Sequence, residues 1–333
     1  MNRPRRRALV LAAGFGRRLR PLTAALPKPL LPVAGRPLVA WTLDALVAAG
    51  CEGIALNLHH QGEAIAAALG THHRGVPLHY SREPEILGTL GAVWPLRDFL
   101  AAADEILIVN GDSLCRWPLR ALAARHRRTG AAATLLVADR ADPAAFGGGI
   151  ALARDGRVLA FRAAALTAAL ARRRVFAGAQ IWRPELLARV GAGYADTVEA
   201  LYQPLLAAGE PLQTLATRRP WHDLGTPARY LAGALAWGLA GLPPGGVRLG
   251  PGATIARAAR VRGSVLEAGA AVATGARVEG SLLLPGARVG NGARITGAII
   301  GPGVEVAPGA VVAGELLTAG PDGPPLATPL ASV

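Results

Sequence analysis

L-A-A-G-F-G-R-R-L-R-P-L-T-A-A-L-P-K-P-L-L-P-V-A-G-R-P-L, residues 11–38, is the stretch around which the chain is organised. An apolar run from Ala8 to Ala13 enters it and stops at Gly14 and Gly16. Arg17, Arg18 and Arg20 follow, then Pro27-Lys28-Pro29. Among the 36 basic residues Lys28 is the one lysine. A compact ammonium and a planar guanidinium are not interchangeable, so a chain that otherwise uses arginine marks this position as one that needs the former. A buried strand ending in Gly-x-Gly lets backbone N–H groups approach an anion, and the arginines behind it neutralise one. No third glycine completes a dinucleotide fingerprint, and Lys28 lies too far beyond Gly16 for a Walker loop.

Outward from this stretch, buried strands alternate with amphipathic helices. Strands are predicted at 7–13, 54–58, 76–80, 105–109 and 132–137, and helices at 37–49, 62–69, 88–100 and 118–128. That order implies an α/β domain with a mostly parallel sheet covered on both faces. Past Gly147 the pattern changes to strands at 149–153, 157–162, 175–182 and 212–216. Helices are expected at 184–190, 197–208 and from about 227 to Trp237. Gly241 to Gly246 reads as a linker.

The C-terminal part is an internal repeat. Gly252, Gly269, Gly286 and Gly303 share one 17-residue column; Gly275, Gly292 and Gly309 share another, and Gly263, Gly280, Gly297 and Gly314 a third. Ile255, Val272, Val289 and Val306 keep the same period, as do Val261, Val278, Ile295 and Val312, and Leu249, Leu266, Leu283, Ile300 and Leu317. Three inward aliphatics per unit with glycine corners predict a three-sided parallel β-helix. The expected division is 1–240, 247–317 and a Gly- and Pro-rich tail, 318–333, expected to be disordered.

With 333 residues there is ample chain for a core. No apolar run approaches the ~20 residues of a membrane span. The basic N-terminus lacks a signal-peptide cleavage pattern, so a soluble cytoplasmic protein with no membrane partner is expected. Cys51 and Cys115 have neither metal-ligand nor disulfide-framework spacing. The net charge of +14 suits a polyanionic partner. Aromatics do not interleave with the arginines, so a substrate carrying several phosphates is favoured over nucleic acid.

The block 11–38 resembles the signature of the sugar nucleotidyltransferases, the NDP-sugar pyrophosphorylases. Leu87-Gly88-Thr89-Leu90-Gly91-Ala92, Val109-Asn110-Gly111-Asp112, Phe176-Ala177-Gly178 and Trp221-His222-Asp223-Leu224-Gly225-Thr226-Pro227 stand in the family's order. The resemblance covers residues 7 to about 238. It implies a Rossmann-like nucleotidyltransferase domain, followed by a left-handed parallel β-helix of hexapeptide repeats, as in mannose-1-phosphate guanylyltransferases. It implies transfer from an NTP to a sugar 1-phosphate with Mg²⁺. By this resemblance Leu11, Ala12, Ala13, Gly14, Phe15, Gly16 and Arg17 hold the nucleotide, Arg17 replacing the family's small hydroxyl residue. Arg18 binds the triphosphate and leaving pyrophosphate, and Lys28 contacts the phosphates at the reacting centre. Asp112 and Asp223 hold Mg²⁺ as hard oxygen ligands. Glu83, Gly88 and Thr89 lie where the nucleobase binds. A carboxylate accepts hydrogen bonds only and suits guanine's adjacent donors, so GTP is favoured. Asn110 and Gly178 face the sugar. Where the family has Glu-Lys-Pro, this chain has Phe161-Arg162-Ala163-Ala164, and Arg162 or one of Arg172 to Arg174 stands in for the lysine.

Alternatives remain: a uridylyl- or thymidylyltransferase acting on another sugar, or a non-catalytic scaffold subunit. A second, acetyltransferase activity on the β-helix is disfavoured because residues 223–333 contain no histidine base. The coils are expected to be structural, joining copies into a homo-oligomer.

Overall fold

The computed structural model describes residues 4–140, 148–162, 172–320 and 323–330. The chain divides into two compact units, Met1–Phe15 with Val39–Trp221, and Gly16–Leu38 with His222–Val333. The opening signature is therefore split between them at Phe15.

The first unit is built on a ten-stranded sheet. In chain order its main elements are β1 (Arg6–Leu11), α1 (Leu38–Ala48), β2 (Cys51–Leu58), α2 (Gly62–Leu69), β3 (Val76–Arg82), β4 (Glu105–Asn110), α3 (Leu119–Thr129), β5 (Ala133–Ala138), β6 (Ile150–Leu152), β7 (Val158–Phe161), β8 (Arg172–Trp182) and β9 (Leu212–Thr217). β4, β1, β2 and β3 lie side by side and parallel, with β1 central. β1, β2 and β4 carry continuous aliphatic runs because both faces are covered there; β3, VPLHYSR, is only partly buried. Leu9, Ile54, Ile106 and Val109 are fully buried, each worth about 1.5–3 kcal/mol of transfer free energy. β8 runs antiparallel to both β4 and β5, and β9 parallel to β5.

Two expected helices are broken. Residues 88–100 split into short turns at Gly88–Gly91, Trp94–Leu96 and Arg97–Ala101. Pro95 lacks the N–H that a continuous helix would need there. Residues 197–208 begin as a wide π turn, Val198–Tyr202, before α-helix over Gln203–Ala207. Pro204 sits at that change of winding, where the wider turn avoids its missing donor.

In the second unit a helix, α4 (Pro227–Gly238), precedes the repeat. Its cap is the Thr226 hydroxyl, which accepts from Arg229 N–H at 3.3 Å. The repeat folds as three stacks of short parallel strands whose registers advance by one 17-residue unit: Val265↔Leu282↔Ile299↔Leu316, Ala271↔Arg288↔Glu305, and Arg277↔Arg294↔Val311. This is the expected parallel β-helix. All the corner glycines of the three columns have positive φ, between 54° and 73°, a region costly for any residue with a Cβ. Leu266, Val272, Val278, Leu283, Val289, Ile295, Ile300, Val306, Val312 and Leu317 fill the interior.

One expectation is corrected. The tail was expected to be disordered from 318, yet Leu326–Pro329 forms a strand antiparallel to Glu315–Thr318. The last coil leaves an edge of unpaired backbone groups, and the returning chain satisfies it. Residues 321–322 and 331–333 of that tail lie outside the described residues.

Leu283 lies mid-stack and fully buried. Leu283→Ala should destabilise the β-helix by about 2–5 kcal/mol, read as a lower urea midpoint.

Candidate active site

The parallel registers bring Leu11, Asn57 and Asn110 level at the carboxyl ends of β1, β2 and β4, the end of an open α/β sheet where ligands bind. Gly111 crosses close to β1. A Cβ there would lie 2.9 Å from Val10 Cγ1 and 3.0 Å from the Leu11 carbonyl oxygen, so only glycine lets the chain turn into Asp112. The Leu11 carbonyl accepts from Gly111 N–H at 2.9 Å. Ala12 N–H donates to Asn57 Oδ1 at 2.8 Å. These two backbone groups of the expected nucleotide loop are therefore used within the protein. Gly14 is different: a Cβ there would meet nothing within 4 Å, which leaves its backbone open to a close approach. Phe15 packs edge-on against His59, with ring centroids 5.0 Å apart, and tilted against His60 at 5.7 Å. The two histidines buttress the loop.

Glu83 lies between β2 and the Gly88-Thr89 turn. It is buried; Oε1 accepts from Asn57 Nδ2 at 2.8 Å and Oε2 from Leu87 N–H at 3.0 Å. Both oxygens accept within the protein, so Glu83 is a strut joining β2 to the Gly88-Thr89 turn. Asn57, which sequence reasoning missed, is the hub of that strut. Its one visible signal is a polar residue inside the aliphatic run from Ile54 to Leu58.

The Gly88 turn is strapped to residues 193–197. Leu90 N–H donates to the Ala195 carbonyl at 2.9 Å, Ala195 N–H to the Leu87 carbonyl at 3.0 Å, and Thr197 N–H to Thr89 Oγ1 at 2.9 Å. A Cβ on Gly88 would sit 2.5 Å from the Ala195 oxygen, which accounts for the glycine.

A cavity of about 250 Å³ opens beside this turn. It gathers Leu11, Thr89, Asn110 and Arg162, and adds Gln180 and Asp196. Gly178 lies in the register shift of β8 between Phe176 and Gln180, and a Cβ there would be 3.4 Å from Asn110 Cβ. Tyr202 is fully buried; its hydroxyl accepts from Trp182 Nε1 at 2.6 Å and donates to Gln180 Oε1. The Gln180 amide is thereby fixed in orientation at the cavity wall. Burial pushes the Tyr202 hydroxyl pKa far up, which keeps it a neutral donor. Arg162 bonds Glu199 at 2.5 Å and lies 3.6 Å from Asp196, so its charge is shared with two carboxylates at the rim. Arg174 instead pairs with Asp139 at 2.7 Å. Ala163 and Ala164 lie outside the described residues.

In the second unit, Gly16 opens a short turn, Arg17–Leu19, and Thr23 Oγ1 donates to its carbonyl at 2.9 Å. The position of a Gly16 Cβ lies 3.5 Å from Lys28 Cβ, so this turn and the Lys28–Leu30 turn adjoin. Lys28 is 7% exposed, far below an ordinary surface lysine. Arg18 and Asp223 flank Gly225: a Cβ there would be 3.0 Å from Arg18 Nη2 and 3.2 Å from both Asp223 oxygens. Arg229, unforeseen in the sequence, pairs with Asp223 at 2.9 Å, both about one-fifth exposed. Among the described residues no group of three or more His, Cys, Asp or Glu could hold a metal ion. Asp112 and Asp223 belong to separate units. Each is a hard oxygen donor of the kind that binds Mg²⁺ when substrate phosphates supply further ligands.

Asn57→Ala would strip the partner from a buried N–H and from a buried carboxylate oxygen. The expected loss is about 1–3 kcal/mol per unsatisfied group, measured as a lower thermal midpoint.

Residues 7–237 match the nucleotidyl transferase family, and residues 249–317 the GlmU-like C-terminal hexapeptide family. A mannose-1-phosphate guanylyltransferase catalytic subunit beta of Drosophila pseudoobscura pseudoobscura is 31% identical over 230 residues, covering 68% of this chain and 61% of the relative. The mannose-1-phosphate guanyltransferase of Schizosaccharomyces pombe is 31% identical, covering 68% and 63%. The chain thus spans a little over three-fifths of the length of these curated relatives. Among solved structures, HddC from Yersinia pseudotuberculosis complexed with GMP-PN has the same fold, at a TM-score of 0.57 and 18% identity over 68% of this chain and 97% of that one. No helix among the described residues is long and apolar enough to cross a membrane. With its match running from Arg7 to Trp237, the chain belongs to the nucleotidyl transferase family.

Proposed function

We propose that the protein joins an NTP to a sugar 1-phosphate, giving an NDP-sugar and pyrophosphate, and that GTP and mannose 1-phosphate are its substrates. The observation that carries the reaction type is the burial of the chain's one lysine, Lys28, against the Gly16 turn. A lysine held next to a glycine turn suits a multiply charged anion.

In the reaction an oxygen of the sugar phosphate attacks the α-phosphorus, and the bond from that phosphorus to the β-phosphate's bridging oxygen breaks. The nucleophile is already anionic, so no side chain need remove a proton. The protein's work is positioning and charge neutralisation. Lys28 and Arg18 neutralise the triphosphate and the departing pyrophosphate. Gly14 gives the nucleotide access to the backbone. Arg229, paired with Asp223, orients that carboxylate. The cavity bordered by Asn110, Gln180 and Asp196 takes the sugar hydroxyls, and Arg162 meets the sugar phosphate. Mg²⁺, held by Asp112 and Asp223 together with nucleotide phosphates, would supply Lewis-acid stabilisation.

The choice of GTP rests on the relatives' names, because Glu83 is engaged internally. The coils serve as the surface joining copies; a monomer in light scattering would remove that part of the reading.

A pyrophosphate-release assay over four NTPs and several sugar 1-phosphates should be fastest with GTP and mannose 1-phosphate. A faster pair containing UTP or dTTP would overturn the substrate assignment. Lys28→Ala and Lys28→Arg should both lower turnover by about 10²-fold or more, with thermal midpoints close to the parent; an active Lys28→Ala enzyme refutes the site. Glu83→Ala should slow GTP and UTP reactions in the same proportion, since a strut affects both. A loss confined to GTP would restore a base-reading role.

A further inference from the structure

In the β-helix one column of the repeat reads Gly250, Glu267, Leu284, Gly301, Thr318. Glu267 is its one charged member, and it is 1% exposed. An ionisable group buried in a column that elsewhere places uncharged glycine, leucine or threonine requires a partner. The partner is the signature stretch. Residues Pro32–Val33 and Arg36–Pro37 form a small antiparallel hairpin. Its turn residues, Ala34 and Gly35, have φ of 52° and 82°, as a two-residue I′ turn demands. Gly35 N–H donates to Glu267 Oε2 at 2.8 Å. Burial pushes the Glu267 carboxyl pKa up, while the Gly35 and Ala34 N–H groups and the charge of Arg248 pull it back.

The other end of the hairpin is held as well. Tyr230, fully buried on α4, donates its hydroxyl to the Pro32 carbonyl at 2.6 Å. Leu38 N–H closes the segment on the Leu31 carbonyl at 2.9 Å. The hairpin follows directly on the Lys28–Leu30 turn. α4 itself rests on the coils: a Cβ on Gly238 would be 2.8 Å from Val265 Cγ2.

We propose that the β-helix takes part in the transfer reaction through Glu267, a positioning residue that anchors the 32–37 hairpin and so sets the place of Lys28. This rests on the transferase reading for its effect on rate, but the anchor itself does not. Ala34 adopts a conformation unfavourable for a residue with a Cβ, and the carboxylate on the adjoining N–H groups holds it there. A displacement of Lys28 by even an ångström would cost rate without abolishing the fold.

The test uses the full-length protein with Glu267→Leu, which installs the residue the next coil carries at this position, and Glu267→Gln, which keeps an acceptor. Glu267→Leu should lower kcat about tenfold or more, leave KM for the NTP within about threefold, and speed amide exchange in residues 31–38 while exchange in residues 288–317 stays as in the parent. Glu267→Gln should restore most of both. Wild-type kcat and wild-type exchange at 31–38 in Glu267→Leu would overturn the proposal. So would equally faster exchange across all coils, which marks a merely structural residue. Exchange needs no substrate, so it separates failure of the anchor from failure of the transferase assignment.

Discussion

A primary amide has one acceptor oxygen and one donor nitrogen, and Asn57 uses both inside the sheet. The oxygen takes the N–H of Ala12 at the end of β1. The nitrogen reaches Glu83, whose second oxygen takes the N–H of Leu87 ahead of the glycine turn. Three segments distant in sequence are thus fixed to one another by charge-assisted and neutral bonds in a place closed to water, where an unmade bond is costly. The loop at Gly14 and the turn at Gly88 hold their places in the first unit because this chain of bonds is complete.

The second unit solves a different problem. Its first stack of coils is apolar on both sides. Leu266, Leu283 and Ile300 face the interior, while Val265, Leu282 and Ile299 are buried on the outside. A sheet with two dry faces needs a cover. α4 makes contact with the 265–266 and 282–283 strands, and its Tyr230 then reaches the hairpin of the signature. Hydrophobic cover and polar anchoring are therefore supplied by the same helix.

Much of this was legible in the residues. Continuous aliphatic runs such as Glu105 to Val109 read as buried parallel strands because nothing else buries both faces of so short a segment. The 17-residue columns foretold the coils because each corner needs the same backbone conformation. Long-range polar pairing was not legible. Glu83 is a plausible acceptor until Asn57 is seen beside it, and Arg229 is an ordinary helix residue until Asp223 turns towards it. Glu267 breaks a column, a signal that was present, but its partner lies far away in sequence at Gly35. Periodicity reports which face is dry; it does not report which donor meets which acceptor. The Leu326–Pro329 strand was missed for a related reason: composition rich in glycine and proline argues against a packed core, yet pairing to a waiting edge needs backbone alone.

That last strand has a consequence for the protein as a material. A stack of parallel coils is a template whose end can accept another extended chain in register, the geometry from which fibres grow. In the first stack the next place beyond Glu315–Thr318 is occupied by the protein's own reversed tail. An antiparallel segment ending in proline at 329 breaks the 17-residue register and removes a donor from the new edge. The tail thus closes the first stack against a further coil in the same register.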